Sequence, residues 1–220
     1  MSKMKTAQLW DKVHQSNVYH SEYPSDNAQA FLRNHVRITE GAKRILDHGC
    51  GTGRHALLFN NAGLEVYAID SSENALSQLR SKDAFNKINI QYSEYSNLPF
   101  DNDYFDYVFS EGVLYYGDEQ SFISGLSEIY RCLKPNGVVR IYTKTDRDYW
   151  VTYGEALGND TYRANNHAFE NEMLIYCASH KKIIEHMERF TTVTIGIEEF
   201  NYIGLDSRKS FWVITATKRA

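Results

Sequence analysis

Asp47, Gly49, Gly51, Gly53 and Asp70 are the residues whose types and spacing point to chemistry. The first four fall in Ile45-Leu46-Asp47-His48-Gly49-Cys50-Gly51-Thr52-Gly53-Arg54-His55-Ala56, where a short apolar run reaches an acid and then three alternate glycines. Backbone without side chains, followed at once by the free N–H groups of a helix start, suits a nucleotide. Asp70 ends a second apolar run about 20 residues past the glycines, where a carboxylate can accept both hydroxyls of a ribose. The spacing is Gly-x-Gly-x-Gly, which departs from the dinucleotide pattern Gly-x-Gly-x-x-Gly. A carboxylate beside a pyrophosphate is unfavourable. Asp47 suits a positively charged ligand instead, such as the α-ammonium and sulfonium of S-adenosylmethionine.

These residues need strands that end together and helices that start beside them. Arg44–Asp47, Glu65–Asp70, Ile88–Ile90, Tyr104–Phe109 and Val138–Tyr142 read as strands. Between them lie helical periods at Thr52–Asn61, from Ser71 or Ser72 through Arg80, and from Asp118 through Leu133, with Pro135-Asn136-Gly137 as the turn into the fifth strand. Such alternation predicts parallel βαβ units. After a helix near His180–Met187, Thr191–Ile197 and Ser210–Thr217 have nothing helical between them, only Gly204 and Asp206 in the gap, and predict an antiparallel hairpin. The expected fold is a Rossmann-like α/β three-layer sandwich with a seven-stranded, mostly parallel sheet. It forms a single domain over 1–220, with a helical lid over 1–40 and an insertion over 145–178 above the carboxyl edge of the sheet.

The chain has 220 residues, 42% apolar and 24% charged, the balance of a globular protein with a substantial core. No apolar run approaches a membrane span, and Met1–Lys5 leads into polar sequence, so neither a membrane role nor a secretory leader is expected. Cys50, Cys132 and Cys177 are scattered and odd in number, which suits free thiols in a reducing cytoplasm. The net charge of −4 speaks against a nucleic-acid partner. The eight histidines show no ligand-like pairing, and no metal is expected. Sixteen tyrosines read mainly as packing, with an aromatic substrate pocket as the alternative.

Ile45–Ala56 resembles the first motif of class I S-adenosylmethionine-dependent methyltransferases. Glu65–Ser72 is similar to the family's ribose-binding strand end, and Ser93–Phe100 to the segment whose acid meets the adenine amino group. Phe105–Ser110 is similar to the fourth strand, and Leu133–Gly137 to the turn before the fifth. The five segments stand in order across roughly Ala42–Thr143. The resemblance implies S-adenosylmethionine as cofactor and S-adenosylhomocysteine as product. It implies that Asp47 and Gly49 hold the methionine end, with Gly51 allowing close approach. Asp70 would take the ribose hydroxyls with Ser71 beside the adenine, Glu94 and the Tyr95 backbone the adenine amino group, and Ser110 the methionine portion. Glu94 stands where the family more often has aspartate. His48 stands where an apolar residue is usual, and reads as a packed, hydrogen-bonded histidine.

The sequence after the fourth strand, Ser110-Glu111-Gly112-Val113-Leu114-Tyr115-Tyr116, lacks the Asn/Asp-Pro-Pro-Tyr of base methylation, so a small-molecule acceptor is expected. O- or N-methylation of a sugar or another metabolite is the expected reaction. A catalytically inactive cofactor-binding partner or regulatory subunit is the alternative. Methyl transfer is an in-line displacement from an activated leaving group, so positioning dominates and a base is needed only for a hydroxyl. Glu111, Tyr115 and Tyr23 are the candidate catalytic residues, with His167 and His180 as further candidate bases. The Trp10…Tyr19…Tyr23-Pro24 stretch reads as the lid. Oligomeric state, monomer or homodimer, stays open.

Overall fold

The computed structural model describes residues 6–16, 22–37, 43–84, 86–165, 170–201 and 208–220. Helices α1 (Thr6–Gln15) and α2 (Asp26–His35) precede the alternating segment. There β1 (Arg44–His48), α3 (Arg54–Asn61), β2 (Glu65–Asp70), α4 (Glu73–Lys82), β3 (Asn89–Tyr92), β4 (Phe105–Glu111), α5 (Glu119–Cys132) and β5 (Leu133–Lys144) follow in turn. Then come α6 (Tyr149–Tyr153), β6 (Glu155–Gly158), β7 (Thr161–Arg163), β8 (Leu174–Tyr176), α7 (His180–His186), β9 (Phe190–Asn201) and β10 (Arg208–Lys218).

The main sheet has seven strands in the order β3-β2-β1-β4-β5-β10-β9. β10 runs antiparallel to both β5 and β9, as the hairpin signal predicts. Alternate residues feed two cores. Ile45, Val66, Ala68, Tyr107 and Phe109 pack with α2, α3 and α4 through Phe31, Phe59 and Leu76. Leu46, Ile69, Val108, Val139 and Ile141 pack on the other face with Phe122, Leu126 and Ile183 of α5 and α7. Burial on both faces explains why the central strands read as apolar runs. The helices start where side-chain caps stop the strand-to-helix turns: Ser72 accepts from the Ala75 N–H and Asp118 from the Ser121 N–H.

Several boundaries differ from the sequence reading. β4 runs on to Glu111, which sets that carboxylate at the strand tip. β5 already starts at Leu133, paired with Phe105; Lys134–Gly137 bulges out of the strand, Asn136 taking a φ of 63°, instead of preceding it as a turn. β3 is displaced to Asn89–Tyr92 because Asp83 accepts the Lys87 and Ile88 N–H groups and holds them outside the ladder. The stretch over 145–178 that shows no period carries α6 and a separate antiparallel sheet in the order β6-β7-β8. Its strands, four, three and three residues long, are too short for a period to be legible. Gly204 and Asp206 lie outside the described residues.

Gly53 is the N-cap of α3 at φ 87°, and a Cβ there would collide with Leu79 of α4. Gly63 has the same φ with nothing within 4 Å. Gly53→Ala is therefore expected to lower the urea-unfolding free energy by about 2–4 kcal/mol, backbone strain plus overpacking, and Gly63→Ala by only about 1 kcal/mol. Equal losses would show that the helix-to-helix approach is not what requires glycine.

Candidate active site

A cavity of about 980 Å³ opens at the carboxyl ends of β1, β2 and β4, the size of a site for a cofactor together with a second small molecule. Its floor is the glycine turn Gly49–Thr52, with Asp70, Ser71, Glu94 and Tyr95 to one side and Glu111, Tyr115 and Tyr116 to the other. The parallel register β1–β2 sets His48 beside Ile69, and the N–H groups of Gly49 and Cys50 both donate to the Ile69 carbonyl at 2.9 and 2.8 Å. The turn is thus tied to the strand that ends in Asp70.

The Asp70 carboxylate, half-buried at the cavity wall, takes two backbone donors: the Gly51 N–H reaches Oδ2 at 2.8 Å and the Ser72 N–H reaches Oδ1 at 2.9 Å. Burial raises its pKa against those donors. Each oxygen keeps a further lone pair, so the group is aimed and still able to accept hydroxyls. Asp47 lies one layer behind the cavity wall, 1% exposed. It takes the Ala56 N–H, while its Oδ2 has no hydrogen-bond partner among the described residues. Burial foremost pushes its pKa up to about 7. A buried carboxylate with an unmet acceptor fits a cationic group arriving above the glycine turn.

His48 is fully buried, with Nε2 3.2 Å from the Tyr95 carbonyl and Nδ1 3.0 Å from Ser110 Oγ. A carbonyl only accepts, so Nε2 carries the proton and Nδ1 accepts from the Ser110 hydroxyl. Burial lowers the His48 pKa to about 4, so the ring is neutral. The packed reading of His48 from sequence agrees with this geometry. Ser110, expected along the methionine portion, stands instead behind the wall, where His48 takes its hydroxyl.

Both oxygens of Glu111 are engaged. Arg54 Nη2 meets Oε1 at 3.0 Å, and Ser25 Oγ and Asn27 Nδ2 each donate to Oε2 at 2.9 Å. His55 Nε2, 3.8 Å from Oε1, accepts the Ser25 N–H; burial foremost lowers its pKa to about 3. Asn27 in turn accepts from Arg140 Nε at 2.8 Å. This geometry makes Glu111 an anchor joining α2, α3, β4 and β5. Tyr23 does not enter the cavity: its side chain is 80% exposed, because α2 entry ties its carbonyl, not its ring, to Arg54. His180 is exposed at the start of α7 against Trp212, away from the cavity. His167 and Tyr19 lie outside the described residues.

Tyr115 and Tyr116 do line the cavity. They are held there by β8, since the Tyr176 N–H donates to the Tyr115 carbonyl at 2.8 Å and Tyr116 bridges to Ile175. The structure adds wall residues that sequence reasoning missed. Tyr142 comes from the end of β5, Phe200 and Phe211 from β9 and β10, and Arg163, Glu172 and Leu174 from the 145–178 segment. Only Tyr142 carried a signal, as the last residue of the predicted fifth strand. Helix α1 contributes Trp10 and His14. It is latched to the start of α4: Asp11 accepts from Ser72 Oγ at 2.8 Å, the Asn74 N–H at 3.1 Å and Asn74 Nδ2 at 2.8 Å. That brings His14 Cε1 to 3.7 Å from the place a Gly51 side chain would occupy.

A methyltransferase-domain family model matches residues 45–137, the span from β1 to the bulge of β5. Over this span the chain is similar to class I S-adenosylmethionine-dependent methyltransferases. Among curated members, the malonyl-[acyl-carrier protein] O-methyltransferase of Salmonella typhimurium is 35% identical over 100 residues, 45% of this chain and 38% of the relative. The demethylmenaquinone methyltransferase of Staphylococcus epidermidis is 33% identical over 116 residues, 49% and 46% of the two chains. The matches span half or less of the length of the first such relatives. A solved S-adenosylmethionine-dependent methyltransferase of Methanosarcina mazei shares the fold with a TM-score of 0.71 at 18% identity, over 86% of this chain and 97% of that one. Methyltransferases of this class take S-adenosylmethionine, and the carboxylate acceptors at Asp47 and Asp70 fit it. No described helix is long and apolar enough to cross a membrane.

The elevated pKa of Asp47 carries a stability consequence. Folding favours its protonated form, so its share of stability is intact below about pH 4 and declines as the pH rises toward 7. Asp47→Asn removes that decline. Urea titrations at pH 4.5 and 7.5 are expected to show the variant gaining on the wild type by as much as about 3 kcal/mol at the higher pH. A gap independent of pH would show that Asp47 titrates normally.

Proposed function

We propose that the protein transfers a methyl group from S-adenosylmethionine to the oxygen or nitrogen of a small-molecule acceptor, a sugar or another metabolite. The observation that carries this reading is the pair of carboxylates, Asp47 buried and Asp70 half-buried at the cavity wall, on either side of a glycine turn that opens into a cavity with an aromatic second half. Asp47, Gly49 and Gly51 would hold the methionine end. Asp70 and Ser71 would hold the ribose and the edge of the adenine, and Glu94 and Tyr95 its amino group. When bound, the cofactor supplies a methyl already activated by the sulfonium.

What remains for the chain is to orient the acceptor and exclude water. Helix α1 serves as the lid, held down by the Asp11 latch. The 145–178 insertion serves as the acceptor wall, through Arg163, Glu172 and Leu174. A small-molecule acceptor accords with the quinone and malonyl-carrier reactions for which the relatives are named. The three cysteines are free and buried, in keeping with a reducing, cytoplasmic setting.

Calorimetry with S-adenosylhomocysteine tests the reading. Wild type should bind it and NAD should not compete. Asp70→Ala should lose about 100-fold or more in affinity, the cost of two charge-assisted hydrogen bonds. Failure of the folded wild type to bind would overturn the reading. Binding with no transfer from labelled cofactor into any component of a metabolite extract would identify a cofactor-binding partner instead. Asp11→Ala should speed release of S-adenosylhomocysteine by about 10-fold, the worth of a helix cap. An unchanged release rate would remove α1 from the role of lid.

A further inference from the structure

We propose that the second half of the cavity takes a neutral, planar aromatic acceptor through a ring hydroxyl, and that Tyr115, Tyr116 and Glu170 form the chain of groups that receives the hydroxyl proton. The proposal rests on the methyltransferase reading and goes beyond it by assigning the acceptor class and the proton's destination.

The wall is built of flat rings. Tyr142 and Phe211 stack with centroids 4.3 Å apart at 20°, and Phe200 lies 6.0 Å from Phe211 at 24°. Trp10 meets Tyr116 edge-on at 4.9 Å. Parallel faces of this kind favour a flat, apolar body. Phe211, together with Tyr115, already serves a cation. Lys144 Nζ, buried against Asp148 at 2.7 Å, sits 3.9 Å from the Phe211 centroid and 5.5 Å from that of Tyr115. An ammonium-bearing acceptor gains little on rings already occupied by a cation, whereas a neutral ring loses nothing.

A proton route leads out of this half. The Tyr115 hydroxyl lies 3.8 Å from where a Cβ on Gly112 would stand, at the turn that ends β4. It donates to Tyr116 Oη at 3.4 Å, and Tyr116 donates to Glu170 Oε1 at 2.7 Å. Glu170 is 3% exposed and sits behind the wall, not in it. The charged and titratable groups facing it are Lys209, with Nζ 4.0 Å from Oε2, and Lys144 and Cys177 at longer range. The carboxylates nearer the glycine turn are committed elsewhere: Glu111 is held by Arg54, Ser25 and Asn27.

The balance is simple. The acceptor oxygen forms a bond to the methyl carbon as the donor's carbon–sulfur bond breaks, with the electron pair left on sulfur. The hydroxyl proton passes to Tyr115 Oη, the proton of Tyr115 to Tyr116 Oη, and that of Tyr116 to Glu170, which ends as a carboxylic acid. The negative charge lost at Glu170 matches the positive charge lost at the sulfonium. Tyr115 touches the acceptor; Tyr116 and Glu170 act through it as positioning residues.

The test uses the full chain, labelled S-adenosylmethionine, and 1-naphthol and 1-naphthylamine as probes that share one ring system. Wild type should bind 1-naphthol by calorimetry in the presence of S-adenosylhomocysteine and methylate it, with 1-naphthylamine far slower. Glu170→Gln and Tyr116→Phe should each lower kcat for 1-naphthol by about 100-fold or more, the usual worth of a positioned proton acceptor, with KM and S-adenosylhomocysteine affinity near wild type. The deficit should shrink at high pH, where the probe ionises unaided, and Glu170→Asp should recover part of it. Wild-type kcat in both variants, preference for the amine, or no binding and turnover of 1-naphthol by a chain that binds S-adenosylhomocysteine would each overturn the proposal. A wild type that binds no S-adenosylhomocysteine would overturn the methyltransferase reading itself, and this proposal with it.

Discussion

Two carboxylates at the ends of adjacent parallel strands, Asp47 buried and Asp70 half-buried, flank one glycine turn, and much of the site follows from satisfying them. Asp70 is held by the N–H groups of Gly51 and Ser72, so the backbone of the turn and the first turn of α4 are fixed relative to each other. Asp47 keeps one oxygen without a partner among the described residues. Leaving such a group buried costs on the order of 1–3 kcal/mol, a cost that a bound cation recovers. The fold thereby holds a binding site open at the expense of its own stability, as functional sites commonly do.

The anchor opposite is Glu111. Its carboxylate gathers Arg54 from α3 with Ser25 and Asn27 from α2, and Asn27 passes the tie to Arg140 on β5. A charge this enclosed is tolerated because an opposite charge and two neutral donors surround it. The network clamps the N-terminal helices onto the post-β4 turn. It leaves both oxygens of Glu111 engaged by neighbouring side chains.

Between these two anchors, the acceptor wall is assembled from segments remote in the chain: α1, the Tyr115-Tyr116 turn, the end of β5, the three-stranded sheet and the β9–β10 pair. The turn is held by β8 as well as by its own backbone bonds, and α1 is held to the start of α4 by its Asp11. The cofactor half is therefore local to the strand ends, whereas the acceptor half is tertiary.

The sequence alone determined the parallel alternation, the closing antiparallel strand pair, the glycine turn with Asp47 and Asp70, and helix starts at Ser71 or Ser72 and at Asp118. These depend on short-range patterns: strand and helix periods, backbone conformations open to glycine, and side chains that bond three residues on. It also pointed to Tyr115 and Tyr116 by their place after β4. Only the tertiary structure decided which polar groups are already spent. In the folded chain Arg54 and Asn27 close on Glu111, and His48 takes the hydroxyl of Ser110, contacts that the motif does not record. Tyr23, near the entry of α2, turns its ring to solvent. Glu170, Phe200 and Phe211 had no signal at all, because an isolated acid or a phenylalanine in a strand acquires a function only through neighbours more than fifty residues away, such as Tyr116 for Glu170. Such pairings are set by packing between elements, and no local period records them.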